Sequence, residues 1–123
     1  MARTTGIGGI FFKCRDPKAL AAWYAKHLGI HSEDGGSLVF SGPDTAGMTV
    51  FAPFPASTRY FGDGSQTFMV NFRVDNLDEL LKQLAAAGVR IDPKRDSQEY
   101  GHFAWIWDPE GNRIELWQPL PAS

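Results

Sequence analysis

Along the chain, the spacing of apolar and polar residues switches between strand-like and helix-like several times, and the switches come in the same order in each half. Residues 7–15, IGGIFFKCR, are rich in apolar residues and too short for a helix, which predicts a strand. Asp16 followed by Pro17 marks a helix start: the carboxylate accepts the free N–H groups of the first turn, and proline there forfeits no hydrogen bond. Leu20, Trp23, Tyr24 and Leu28 recur at helical spacing as the expected buried face, and Gly29 is the expected stop. SLVF (37–40) and MTVFA (48–52) read as short strands, with SGPDTAG as the turn between them. PFPASTRYFGDGSQ (53–66) reads as a linker.

After the linker the order repeats. TFMVNFRV (67–74) alternates as a strand does. Asn76 caps a helix, and Glu79 three residues on completes a capping box. Leu77, Leu80, Leu81 and Leu84 are its apolar face, and Gly88 ends it. VRI (89–91) starts a short strand, DPKRDSQEYG is a polar loop, and HFAWIW (102–107) and RIELW (113–117) are strands joined by the turn DPEGN. Asp16 and Asn76 stand at the same offset as Phe12 and Phe72, and TAGMTVF lines up with PEGNRIE. The pattern predicts an α+β chain of two tandem βαβββ modules, about 7–52 and 67–118, making a single domain.

Strand alternation then sorts the residues by face. Ile10, Phe12 and Cys14 are expected under the first helix, and Phe68, Val70, Phe72 and Val74 with Ile114 and Leu116 under the second. The opposite faces carry Gly9, Phe11 and Lys13 in the first copy and Met69, Asn71 and Arg73 in the second, with Arg113, Glu115 and Trp117 on the last strand. A curved mixed sheet with such faces would cup a central cleft, where small ligands bind. Tyr60 and Phe61 in the linker, and Tyr100 and His102 around Gly101, are placed to stack a flat ligand at its mouth or to pack against the neighbouring sheet or a second subunit. Lys13 and Arg73 hold matching positions and call for an anion between them, either Glu115 or a ligand group.

Composition narrows the function classes. The chain has 123 residues, 43% of them apolar and 21% charged, as in an ordinary globular protein. A net charge of −2, with no basic stripe interleaved with aromatics, gives no reason to expect nucleic-acid binding. No apolar run reaches membrane-spanning length. The start, MARTTGIGG, lacks the apolar core of a secretion signal, so the expected location is cytoplasmic. Cys14 is the only cysteine, which excludes an internal disulfide, and it reads as a small hydrophobe. No serine, histidine and aspartate fall into a nucleophile motif such as GxSxG.

The doubled plan, with FRVDNLDELLKQLAAAGV and WDPEGNRIELWQP, resembles the vicinal oxygen chelate superfamily, which includes glyoxalase I, bleomycin-resistance proteins and extradiol dioxygenases. The resemblance covers about residues 7–118. It implies a homodimer. It also implies a divalent metal held by His, Gln or Glu on four strands, at positions that here are Gly9, Phe51, Met69 and Glu115. Three of these are unsuited to a hard or borderline cation, so no metal cofactor is expected. Glu115 with His102 would be a weak pair of ligands, and His27 and His31 are expected in solvent.

Three functions follow. One is a binding protein for a small aromatic or anionic compound, with Phe11, Lys13, Phe51, Met69, Asn71, Arg73, His102, Arg113 and Trp117 lining the cleft. Another is a lyase or related enzyme with Glu115 as base, aided by His102 or by residues of a partner subunit. The third is an accessory protein whose cleft is filled by its own Phe and Met.

Overall fold

The computed structural model describes residues 2–30, 38–40, 49–62 and 65–120. Among them are seven strands and two helices: β1 (Thr4–Cys14), α1 (Pro17–Leu28), β2 (Leu38–Phe40), β3 (Thr49–Pro55), β4 (Phe68–Val74), α2 (Leu77–Ala86), β5 (Ile91–Gln98), β6 (Gly101–Trp107) and β7 (Arg113–Pro119). Pairing is mixed and open. The expected turn SGPDTAG and His31 lie outside the described residues. No helix among the described residues is long and apolar enough to cross a membrane. The chain forms two compact units, Gly8–Met69 and the segment up to Ile7 together with the chain from Val70 onward.

In the N-terminal unit the strand order is β2-β3-β1, with β2 antiparallel to β3 and β3 parallel to β1. Asp16 caps α1 by accepting from the Ala19 N–H at 3.1 Å, and Gly29 closes it with φ +68, a conformation that favours glycine. The expected apolar face of α1 is only partly used. Ala21 is the buried residue of the helix, whereas Trp23 is 50% and Leu28 60% exposed.

The expected linker is also different. β3 runs on through Pro55, and Tyr60 and Phe61 then fold back over the sheet. Phe54 stacks on Tyr60 at 5.6 Å, meets Phe61 edge-on at 5.2 Å and touches Phe11 at 5.4 Å. Aromatic burial outweighs the Pro and Ser signals there.

In the C-terminal unit the order is β4-β7-β6-β5, with β4 parallel to β7 and the rest antiparallel. Asn76 caps α2 by accepting from the Glu79 N–H at 3.1 Å. Leu77 and Leu80 pack with Val74, Ala104 and Leu116, and Phe72, Leu81, Leu84, Ile106 and Ile114 extend this core. Ala2 joins it, and its backbone exchanges two hydrogen bonds with the Gln83 side chain, at 2.8 and 3.1 Å.

The segment expected as a polar loop after Ile91 is instead β5. Its pairing with β6 shifts between Ile91 and Arg95, around Pro93. A bulged edge strand tolerates proline and charge, because only one side of it must hydrogen-bond.

Candidate functional site

The sheet face of the C-terminal unit opposite α2 is built in cross-strand rows. In the central row Asn71 pairs with Glu115 and Glu115 with Trp105. Glu115 and Asn71 are each 2% exposed, and Trp105 is buried with them. The Glu115 carboxylate accepts from Asn71 Nδ2 at 2.6 Å through Oε1 and from Trp105 Nε1 at 3.0 Å through Oε2. Taking a carboxylate out of water is unfavourable unless donors replace the solvent, and these two do so. Asn71 Oδ1, equally buried, has no hydrogen-bond partner among the described residues.

The flanking rows fix this one in place. Trp117 stacks against Phe103 with ring centroids 6.1 Å apart and planes nearly parallel, and its Nε1 donates to the Tyr100 carbonyl at 2.8 Å. Arg73 Nη1 donates to the Ile7 carbonyl at 2.9 Å, its guanidinium lying where a Cβ on Gly6 would stand. On the other flank Arg113 donates to Asp92 at 2.8 Å and lies between the rings of Trp105 and Trp107, at 5.4 and 5.2 Å. The Lys94 backbone N–H, followed by the Arg113 guanidinium, holds the Asp92 carboxyl below the usual carboxylate range.

Asn71, Arg73, Arg113, Glu115 and Trp117 therefore share this face. Glu115 is bonded to Asn71 and Trp105. His102 is elsewhere. It shares the parity of Ala104 and Ile106, on the α2 side, and its Nδ1 is 2.8 Å from Ser97 Oγ. No Glu115–His102 pair can form, because the two residues project from opposite faces.

In the N-terminal unit Phe11 is buried under Phe54 and Tyr60, Lys13 Nζ stands 6.0 Å from the Phe61 ring, and Met69 is fully buried. Phe51 is corrected. The register Ile10↔Phe51 puts it on the α1 side, where it meets Phe12 and Tyr24, each at 5.0 Å. The face opposite α1 carries Val50, Ala52 and Phe54 instead. Trp105 was missed, although the signal was present. Closing the DPEGN hairpin with Trp107 opposite Arg113 sets Trp105 opposite Glu115.

A sequence profile for the Glyoxalase/Bleomycin resistance protein/Dioxygenase superfamily matches residues 6–116. The chain belongs to this superfamily. Among solved structures, a methylmalonyl-CoA epimerase from Mycobacterium tuberculosis is similar with a TM-score of 0.66 and 21% identity, covering 96% of this chain and 90% of that one. A Streptomyces coelicolor methylmalonyl-CoA epimerase variant in complex with 2-nitronate-propionyl-CoA gives 0.71 and 15%, covering 97% and 100%. The Mn(II)-bound glyoxalase from Novosphingobium aromaticivorans gives 0.62 and 19%, covering 100% of this chain and 44% of that one. No curated protein matches the chain.

The metal that the superfamily implies does not fit the donors described. No three His, Cys, Asp or Glu side chains come together among the described residues. Glycine at position 9 offers no side-chain donor, and an added Cβ would stand 2.8 Å from the Phe11 ring and 3.0 Å from the Val50 carbonyl. Glu115 is a single carboxylate, and it accepts from Asn71 and Trp105.

Proposed function

We propose that this superfamily member binds a small, flat, aromatic or anionic compound on the sheet face of its C-terminal unit, with the Asn71–Glu115–Trp105 row as the polar anchor. The observation that carries this reading is Asn71 Oδ1, a buried acceptor with no protein donor among the described residues. Such a group is satisfied by a ligand or a water. Trp117, Phe103 and Trp107 supply apolar surface for a ring, and Arg113 supplies positive charge for an acid. We further take the protein to be a cytoplasmic homodimer. Exposed Trp23 and Leu28 on α1 are the apolar surface that supports pairing.

A titration with the flat anionic dye anilinonaphthalene sulfonate, followed by tryptophan fluorescence, tests the binding reading. Saturable binding that weakens in Asn71→Leu and Glu115→Gln supports it. Binding indifferent to both substitutions overturns it. So does near-stoichiometric Mn, Ni, Zn or Fe(II) that is lost in Glu115→Ala.

A second reading, an isomerase in which Glu115 moves a proton, draws on the buried carboxylate and on the epimerases among the similar structures. Methylmalonyl-CoA incubated with the protein in D2O decides between them. Deuterium uptake that is lost in Glu115→Gln establishes the isomerase, and no uptake leaves the binding protein.

A further inference from the structure

Three cations surround two tryptophans at the β5 edge of the same face. Arg90 lies 3.8 Å from the Trp107 ring centroid, Lys94 Nζ 5.4 Å from that of Trp105, and Arg113 between the two rings. The β5 bulge sets this up, because four residues of β5 span only two of β6. The extra length carries Asp92 across to Arg113 and leaves Arg90 and Lys94 on either side of it.

The charges do not balance locally. Asp92 is committed to Arg113, while Arg90 and Lys94 are both exposed and have no carboxylate within ion-pair distance among the described residues. Asp96, on the same face opposite Phe103, is bonded by Gln98. With one carboxylate, Asp92, bonded to Arg113, the remaining positive charge held against the two rings repels unless a further anion joins it. Stacking on an indole also restrains a guanidinium and leaves its N–H edge turned outward, so the donors are set before a ligand arrives.

We propose that Arg90 and Lys94 form a site for a doubly charged phosphate group, such as that of a phosphate monoester, with the Trp105–Trp107 pair as its platform. A dianion compensates both free cations and offers oxygens to both, whereas a carboxylate compensates only one. This goes beyond the Asn71–Glu115 reading, in which neither residue takes part.

Inorganic phosphate, phenyl phosphate and benzoate, titrated at pH 8 with tryptophan fluorescence as the readout, test the site. The expected result is saturable quenching by both phosphates and little by benzoate. Binding should weaken about tenfold or more in R90Q/K94Q and fall as salt rises. It should also weaken at pH 5, where phosphate is a monoanion. R90Q/K94Q removes only exposed side chains, and an unchanged thermal midpoint certifies its fold. Phosphate binding no tighter than benzoate, or equal binding by R90Q/K94Q, overturns the proposal. The two sites share Trp105 and Trp107, and the substitutions tell their failures apart: Asn71→Leu bears on the dye and R90Q/K94Q on phosphate.

Discussion

At the scale of single residues, Glu115 is the position on which most depends. Glu115→Ala would leave Asn71 Nδ2 and Trp105 Nε1 buried without an acceptor, a loss of about 2–4 kcal/mol read by urea denaturation. Glu115→Gln keeps an acceptor for one of them and is expected to lose less. The facing of Glu115 was legible from strand alternation, and its candidacy came from the family resemblance. Its partners were not, because alternation assigns a face and says nothing of which neighbour reaches across. Arg113 reaches Asp92, a residue that a loop would have left in solvent.

Asp92 makes a pH prediction. Its folded-state pKa is depressed, so the stability it contributes is complete above the unfolded-state value of about 4 and is lost as pH falls through the folded one. Asp92→Asn should lower the urea midpoint at pH 7 and change it much less at pH 3. Gly101, at the start of β6, is tightly constrained, with φ +133 and the Gln118 carbonyl where a Cβ would go. Gly101→Ala should cost more than about 2 kcal/mol on the same assay.

At the scale of elements, the two helices differ where the sequence made them look alike. Both carry a side-chain cap, and both caps formed as read. The apolar stripes did not behave alike. α2 buries Leu77 and Leu80 in a leucine-rich core, whereas α1 buries Ala21 and leaves Trp23 and Leu28 half or more exposed. Helical spacing fixes the relative angle of residues on a helix but not how deeply the helix sits on its sheet. Amide hydrogens of α1 should therefore exchange faster than those of α2, as hydrogen–deuterium exchange can measure. β5 is the converse case. Its Pro and charges argued against a strand, yet an edge position with a bulge accommodates both. β3 shows how small an error in register matters: one residue of slip moved Phe51 to the other face.

At the scale of the whole molecule, the two compact units do not simply follow the chain from end to end. The first residues of β1 belong with the chain from Val70 onward, tied there by Gln83 to Ala2 and by Arg73 to Ile7. Gln83→Leu removes both bonds to Ala2 and is expected to lower stability by about 1–2 kcal/mol in the urea assay. That arrangement also sets an order of events during synthesis. Gly8–Met69 has all its own strands once residue 69 has left the ribosome, whereas the contact between Ala2 and Gln83 spans 81 residues. The segment that carries Ala2 is made before its partner helix and must stay unclaimed until Gln83 arrives, and through that interval it is an open strand end, available to a chaperone or to another nascent chain.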